Sequence, residues 1–328
     1  MSPPPHPAQR MAAGPTAVTI GSFDGVHIGH AALVRVARDA VGPGGRVVAL
    51  VFDPHPLSVL RPGSEPAPLS TFEQRCGWLA AAGANVVERL EPTPERLAMS
   101  PEGFIDWVVE RFGPVSIVEG PDFRFGRERA GDAGLLAALG RSRGFGVSIV
   151  EPVEATLEDH TIVPARSTVA RWLVRHGRVR DAARLLGRPY QIAGVVRRGD
   201  RRGRTIGYPT ANIDAPHLLP ADGVYAGVAL LPGGRSVPAA VSVGTKPTFN
   251  GQGRALEAHL LDLRAPDAPW APIDGLDEYG WPIRLDFTAF LRDQARFSGL
   301  PALLEQMDRD CRRVRELADG PAVAGSAA

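Results

Sequence analysis

The sequence predicts a two-part chain, an α/β half followed by an all-β half. In the first half, short runs rich in Val and Ile alternate with helical patterns, which is typical of a Rossmann-like parallel sheet covered on both faces. After about residue 190, strand-like runs are separated only by Gly, Pro and Asp turns, which indicates an antiparallel β-barrel or sandwich. A length of 328 residues fits two domains, at about 150 residues per domain.

Five strands and four helices are predicted in the first half. The strands cover 17–20, 46–52, 85–90, 115–118 and 147–150, and the helices cover 31–40, 72–82, 101–112 and 135–143. Ser100 and Pro101 mark the start of the third helix, because Ser caps helix N-termini and Pro favours the first helical position. A helical linker at 168–186 follows. Because ligands of such sheets bind beyond the carboxyl ends of the strands, a site is expected at that edge.

The second half is predicted to contain five strands and a terminal helix. The strands cover 190–196, 223–231, 237–243, 255–263 and 283–290, and the helix covers 300–317. Residues 264–277 have the Pro and Asp content of an inserted loop. The predicted domains are 16–186 and 187–318. Residues 1–15 and 319–328 are predicted to be disordered tails, and the first lacks the hydrophobic segment of a signal peptide.

The charged residues narrow the range of functions. Lys and Arg number 37 against 36 Asp and Glu, a net charge of +1, so neither a nucleic-acid nor a membrane-surface partner is expected. Lys246 is the only lysine and lacks the glycine spacing of a P-loop, and the chain also lacks the loop of a protein kinase. Phosphate chemistry in this chain must therefore depend on His, Arg, backbone amides and metal.

The cysteines and the hydropathy indicate the cellular compartment. Cys76 and Cys311 form no Cys-x-x-Cys pair, so neither a disulfide framework nor a zinc site is expected. Sparse cysteine fits a reducing compartment. No apolar run approaches the roughly 18 residues of a membrane span. A cytoplasmic location without membrane association is therefore expected.

The most informative segment reads Gly-Ser-Phe-Asp-Gly-Val-His-Ile-Gly-His at 21–30, between the first strand and the first helix. A helix N-terminus favours an anion. His27 and His30 share one face of its first turn, where both can donate to phosphate oxygens. Gly29 lets a flat group approach the backbone. This arrangement suits attack at the α-phosphate of ATP, which needs alignment and charge stabilisation. The alternative is a pair of ordinary surface or metal-binding histidines.

Two further strings follow predicted strands at the same edge of the sheet. They are Phe-Asp-Pro-His-Pro at 52–56 and Asp-Phe-Arg-Phe-Gly at 122–126. Phe123 and Phe125 would suit stacking against a flat aromatic ring. Core packing is the alternative for both rings.

A second candidate site covers residues 199–212, with the sequence Gly-Asp-Arg-Arg-Gly-Arg-Thr-Ile-Gly-Tyr-Pro-Thr-Ala-Asn. Its glycines and arginines, Gly203 and Arg204 among them, make a cationic loop that fits a triphosphate. Thr210 and Asn212 are two residues apart on an extended segment, so they point the same way. Their oxygens are hard ligands that suit Mg²⁺. The alternative is a solvated basic hairpin tip.

Two known families carry a similar His-Ile-Gly-His string. Class I aminoacyl-tRNA synthetases also need a Lys-rich loop, which a chain with one lysine lacks.

The longer string at 21–30 resembles the adenylyltransferase half of the bacterial bifunctional riboflavin kinase/FMN adenylyltransferase (FAD synthetase) family, and 199–212 resembles its kinase half. This resemblance covers about 16–317. It implies a nucleotidyltransferase-type α/β domain followed by a riboflavin-kinase-type barrel. The implied reactions use ATP and Mg²⁺: riboflavin to FMN in the barrel, and FMN to FAD with release of pyrophosphate in the α/β domain.

The resemblance also implies roles for individual residues. Ser167, Thr168 and Arg171 match the family's phosphate-binding string, in which Arg166 replaces a Ser. Glu257 matches the glutamate that accepts a proton from the flavin's ribityl hydroxyl; without the resemblance it would be the exposed face of a strand. The implied sets are His27, His30 and Glu257 for catalysis; Gly21, Phe23, Asp24, Gly29, Ser167, Thr168, Arg171, Gly203 and Arg204 for ATP; Asp122, Phe123, Phe125 and Arg292 for flavin; and Thr210 and Asn212 for metal.

Two other functions stay open at this point. A single-activity riboflavin kinase with a decayed first half is suggested by Arg166. A flavin-binding carrier or regulatory module is the non-enzymatic alternative, although storage needs no metal and phosphate residues. Lys246 also departs from the family, which has Asn there. Oligomeric state does not follow from the sequence.

Overall fold

The computed structural model describes residues 14–199, 203, 206–245, 253–263, 273 and 275–319. Contacts divide these residues into two compact units, one of 14–67 with 72–154 and one of 68–71 with 155–319. Arg204, Lys246, most of the predicted tails and most of the predicted loop at 264–277 lie outside the described residues.

The first unit contains a five-stranded parallel sheet with helices. Its strands are β1 (Thr16–Gly21), β2 (Arg46–Phe52), β3 (Val86–Leu90), β4 (Ser116–Glu119) and β5 (Gly146–Ile149), and its helices are α1 (Ile28–Val41), α2 (Leu57–Leu60), α3 (Phe72–Ala81), α4 (Pro94–Leu97), α5 (Pro101–Phe112) and α6 (Ala133–Arg143). The strand order is β3-β2-β1-β4-β5. The predicted parallel sheet is confirmed, and the order reverses direction between β1 and β4.

Local sequence explains why these elements begin and end where they do. β1 and β2 are apolar and almost entirely buried, as expected of strands covered on both faces. α5 begins as predicted, because Ser100 Oγ accepts from the Gly103 amide at 3.1 Å and Pro101 takes the first helical position. It ends at Gly113, whose left-handed backbone suits glycine. The four-residue helices α2 and α4 are too short for a periodic pattern and were not predicted.

A hairpin and two helices connect the sheet to the barrel. The hairpin is β6 (Glu154–Thr156) with β7 (Ile162–Pro164), and the helices are α7 (Ser167–Arg175) and α8 (Val179–Leu186). The predicted linker helix is therefore two helices, separated at Gly177, which has φ of +69°. Both helices group with the second unit. The domain boundary at residue 186 stays a prediction.

The second unit contains a closed six-stranded barrel and a terminal helix. Its elements are β8 (Tyr190–Arg197), β9 (Ala211–Asp214), β10 (Gly223–Leu230), β11 (Ser236–Thr245), β12 (Arg254–Leu260), β13 (Pro282–Arg292) and α9 (Leu300–Asp319). The strands are antiparallel in the closed order β10-β11-β12-β9-β8-β13. The barrel is confirmed over the sandwich.

Alternate side chains along the strands are buried and fill the interior of the barrel. In β11, Val237, Ala239, Val241 and Val243 are buried and the residues between them are not. α9 contributes Cys311 and Val314 to a buried cluster with Ala226 of β10. Among the described residues, no helix is both long enough and apolar enough to cross a membrane.

Candidate active sites

The His turn, residues 21–30, brings two imidazoles together at the start of α1. His27 is the N-cap residue, and its Nδ1 accepts from the His30 amide at 3.3 Å. The two rings stack with centroids 3.6 Å apart, and Phe23 meets the His30 ring edge-on at 5.0 Å. His27 is buried and His30 is half-buried. The shared face predicted for the two histidines is thus present, at the N-terminus of α1.

The backbone of the His turn is unusual. Phe23 and Val26 have φ of +49° and +37°, a region that glycine normally occupies. Each such residue costs about 1–3 kcal/mol, and such strain persists only where packing enforces it. Both side chains are buried, as is Asp24 between them. Core packing therefore holds the turn in its shape.

Two charged residues that the sequence did not single out lie at this edge of the sheet. Arg75 of α3 is 6% exposed and donates to the carbonyls of Ser22 and Phe52. Glu119 ends β4 and is 2% exposed, and its Oε1 accepts from the Ile20 amide at 2.6 Å. Burial raises the pKa of Glu119 well above its ordinary value. A charged residue in an apolar helix face or strand is the signal that could have found both.

The two aromatic rings of the Asp-Phe-Arg-Phe-Gly segment differ in burial. Phe123 is half-buried, whereas Phe125 is 5% exposed and belongs to the sheet's apolar core. The rings stack at 5.2 Å, and a Cβ on Gly131 would lie 2.8 Å from the Phe125 ring. Asp122 is exposed. The structure favours core packing for Phe125, and flavin contact by any of the three stays a prediction.

The predicted phosphate-binding string lies at the start of α7 in the second unit. The helix begins at Ser167, and Thr168 is exposed in its first turn. Arg171 is 8% exposed, and Arg166 is the N-cap residue without a side-chain cap. The predicted helix N-terminus is present, with the substituted Arg at its cap.

The barrel brings its candidate residues together through strand register. β12 pairs with β9 so that Glu257 lies directly opposite Asn212. Directly opposite residues share one face of the sheet, with Cβ atoms about 4.5–5.5 Å apart. Thr210 precedes β9 by one residue. Four residues with one buried side chain, Ile213, gave no strand pattern, so β9 was not predicted.

A cleft opens beside Thr210 and Asn212. Glycine is required around these side chains: a Cβ on Gly199 would lie 2.1 Å from Asn212 Nδ2, and one on Gly203 would lie 2.2 Å from the Tyr208 carbonyl. The sequence did not single out the other walls. They are Val196, Pro209, Ala211, Leu260, Ile273, Glu278, Tyr279 and Trp281.

A second cleft lies beside Glu257. Its lining includes Asp222, Ser242 and Gln294. Gln294 Nε2 donates to Ser242 Oγ at 3.0 Å and to the Val243 carbonyl at 3.2 Å. Asn212 lines the first cleft and Glu257 the second, so each cleft contains one member of this strand pair.

Arg292 has a structural partner in the barrel. Its guanidinium binds both carboxylate oxygens of Asp310 on α9, at 2.8–3.1 Å, and lies 5.7 Å from the Phe297 ring centroid. It therefore fastens α9 to the end of β13. Its contact with a flavin stays a prediction.

The side chains in the barrel that could bind a metal are hard oxygen donors. In the described part of the chain, no three His, Cys, Asp or Glu side chains are grouped as a metal site. The Asn212 amide and the Glu257 carboxylate lie on paired strands, and the Thr210 hydroxyl lies just before β9. Such donors fit Mg²⁺ that also keeps waters and phosphate oxygens as ligands.

Fold and sites together define a class of protein. The parallel sheet carries a His turn at its carboxyl edge, and the barrel that follows carries a carboxylate and an amide paired across two strands, each lining a cleft. These features are typical of a two-domain transferase of phosphate-containing groups. Family models agree with this division: one described as FAD synthetase matches residues 9–164, and one described as riboflavin kinase matches residues 186–318.

Comparisons with known proteins identify the family. Bifunctional riboflavin kinase/FMN adenylyltransferases from Escherichia coli K12 and Pseudomonas fluorescens are 33% and 34% identical, covering 91% and 92% of both chains. The Bacillus subtilis relative of the same name is 30% identical over 93% of both. A Streptococcus pneumoniae crystal structure titled macrolide-efflux protein has a TM-score of 0.77 and 28% identity, covering 94% of this chain and 96% of that one.

This chain belongs to the bifunctional riboflavin kinase/FMN adenylyltransferase family. It is an enzyme with the FAD synthetase domain first and the flavokinase domain second. Its reactions convert riboflavin to FMN and FMN to FAD, as the family resemblance implied. ATP is the co-substrate of both.

Proposed function

We propose that the barrel phosphorylates riboflavin at the Glu257–Asn212 pair, and that the His turn carries the adenylylation of FMN. The observation that supports the first assignment is the register in which Glu257 lies opposite Asn212. The second is supported by the stacked pair of His27 and His30 at the N-terminus of α1.

In the kinase reaction, the terminal ribityl hydroxyl of riboflavin attacks the γ-phosphorus of ATP. The new O–P bond forms as the bond to ADP breaks, and the hydroxyl proton passes to Glu257. We assign ATP to the cleft beside Thr210 and Asn212, and riboflavin to the cleft beside Glu257. Nucleophile and phosphate then meet between the two opposed side chains.

Mg²⁺ is the proposed metal of the kinase site. Thr210 and Asn212 would hold it, and glycine at 199 leaves the Asn212 amide room beside the backbone. When bound, the metal neutralises charge on the phosphates. The protein's own contribution is to orient the two substrates and to accept the proton.

In the adenylylation, a phosphate oxygen of FMN attacks the α-phosphorus of ATP and pyrophosphate leaves. The attacking phosphate is already ionised, so the site must supply alignment and charge stabilisation. His27 and His30 would donate to the phosphate oxygens. Ser167, Thr168 and Arg171 are proposed to bind phosphate groups at the first turn of α7.

The remaining assignments follow from the same argument. Gly21, Phe23, Asp24 and Gly29 shape the ATP side of the His turn, and the half-buried Phe123 stacks on the flavin. A cytoplasmic location is proposed because both reactions consume ATP and both cysteines are free. No nucleic-acid partner is proposed, because a net charge of +1 gives little attraction to a phosphate backbone.

A product assay with one variant tests this assignment. The purified chain is incubated with riboflavin, ATP and Mg²⁺, and products are separated by chromatography. FMN and FAD should both appear, and Glu257→Gln should remove FMN formation while FAD still forms from supplied FMN. Flavin binding without turnover would favour a carrier, and FMN without FAD would favour a single-activity kinase.

A further inference from the structure

Arg75 holds two strand ends together next to the His turn. Its Nη1 donates to the Ser22 carbonyl at 2.9 Å and to the Phe52 carbonyl at 3.0 Å. The paired register of β1 and β2 ends at Gly21 and Val51, one residue earlier on each strand. The guanidinium therefore connects β1 and β2 just beyond their last paired residues. It gives the carbonyls of Ser22 and Phe52 a hydrogen-bond donor.

A carboxylate fixes the guanidinium in this position. Asp53 accepts from Nη2 of Arg75, and its other oxygen lies 2.9 Å from Nη1 of Arg89. Arg89 in turn covers the Phe72 ring, 4.1 Å from its centroid. A buried charge is tolerated only when it is paired and hydrogen-bonded, and Arg75 meets both conditions.

The contacts of Arg75 lead directly to the imidazoles. Ser22 is followed by Phe23, whose positive φ sets the path of the turn. The Phe23 ring meets His30 edge-on, and His30 stacks on His27. Displacement of the Ser22 carbonyl would therefore move the ring that supports both histidines.

We infer that Arg75, oriented by Asp53, is a positioning residue for adenylylation that fixes the His turn without touching ATP. This inference rests on the proposed role of His27 and His30. A misplacement of about 1 Å at such a site costs roughly 10²-fold in rate. The effect should appear in kcat for FAD formation, because the groups that act on the transition state are the ones displaced.

Arg38, near the C-terminal end of α1, provides a matched control at the opposite edge of the sheet. Its guanidinium donates to the carbonyls of Gly45 at 2.8 Å and Gly83 at 2.9 Å, and to Asn85. Those residues precede β2 and β3, at the amino edge of the sheet. Loss of Arg38 removes a comparable set of hydrogen bonds far from the carboxyl edge.

The experiment compares Arg75→Gln, Asp53→Asn and Arg38→Gln in the full chain. It measures kcat and KM for FAD formation from FMN and ATP, the thermal unfolding midpoint, and riboflavin phosphorylation in the same preparations. Arg75→Gln should lower kcat for FAD formation by about 10- to 100-fold. Asp53→Asn should lower it less, Arg38→Gln should leave it within about twofold, and kinase activity should persist throughout.

Several results would overturn the inference. One is an equal loss of FAD formation in Arg75→Gln and Arg38→Gln that follows their unfolding midpoints, since the role would then be structural only. Another is unchanged kcat in Arg75→Gln. If Arg75→Gln does not fold, the same comparison is made with Asp53→Asn, and an unchanged kcat for FAD formation in that variant would overturn the inference. Failure of the unmodified chain to form FAD, or normal FAD formation after substitution of both histidines, would instead refute the proposed function.

Discussion

The two candidate active sites are assembled in opposite ways. The His turn is one segment of ten residues, and its geometry is set by a strand end, a helix start and two buried side chains with positive φ. The Glu257–Asn212 pair joins residues far apart in sequence through the register of neighbouring strands. The first site is local and the second depends on the closed barrel.

This difference determines how each site should respond to change. A local site is disturbed chiefly by substitutions within its segment or against it. A site made by register is disturbed by whatever shifts one strand against another, because side chains on both strands must stay opposite. The two activities in one chain allow each to serve as the control for the other.

The largest difference between the two activities is expected from His27→Asn and His30→Asn. Each removes a donor to the developing phosphate charge, so FMN adenylylation should fall by about 10²–10³-fold. Riboflavin phosphorylation, measured on the same samples, should stay within about twofold. His160→Asn is the control, since His160 is exposed and Asn tolerates its φ of +63°. Loss of kinase activity in the His27 variant would mean that the sites are not independent.

A glycine substitution should break the barrel site selectively. In Gly199→Ala the new Cβ would lie 2.1 Å from Asn212 Nδ2, so the amide must leave its place opposite Glu257. Overpacking of this kind costs about 1–3 kcal/mol, which corresponds to roughly a five- to hundredfold rise in the kinase KM for ATP.

Gly253→Ala is the matched control, because a Cβ on Gly253 would meet no described residue within 4 Å. Steady-state kinetics of riboflavin phosphorylation at varied ATP would detect the change. An unaltered KM in Gly199→Ala would show that Asn212 does not need its observed position.

The contrast between local and long-range assembly also explains which parts of the structure the sequence predicted. The sheet and its helices follow from apolar periodicity, and the His turn follows from one contiguous string. The barrel's pairing does not: β9 has a single buried residue, and only register shows that it lies beside Glu257.

Buried charges were missed for a different physical reason. Patterns of apolar residues treat Arg and Glu as surface residues, so nothing drew attention to Arg75 within its predicted helix, and β4 was predicted to stop before Glu119. Both are under 9% exposed. Their partners, a pair of carbonyls and a backbone amide, come from other strands and carry no signature in the sequence.

A smaller effect is expected at the entrance to β9. Tyr208, two residues before Thr210, donates its hydroxyl proton to Asp308 on α9. Tyr208→Phe removes this hydrogen bond, worth about 1 kcal/mol, and should lower the barrel's unfolding midpoint by roughly 2–4 °C. Asp308→Asn keeps an acceptor and should lower it less. A kinase KM for ATP that also rises in Tyr208→Phe would show that α9 helps to position Thr210 and Asn212.

The smallest effect, and the only stabilising one, is expected beneath the His turn. Burial raises the pKa of Glu119, so the folded chain keeps a proton that the unfolded chain releases. The stabilisation that this group gives the folded chain is therefore greatest below the ordinary glutamate pKa, and it decreases as pH rises toward the raised value.

Glu119→Gln keeps an acceptor for the Ile20 amide and cannot ionise. Its unfolding midpoint should slightly exceed that of the unmodified chain at pH 8, and the difference should shrink toward pH 5. A difference that is constant with pH would show that Glu119 does not titrate on unfolding, and a lower midpoint at every pH would show that the carboxyl group itself holds β1 to β4.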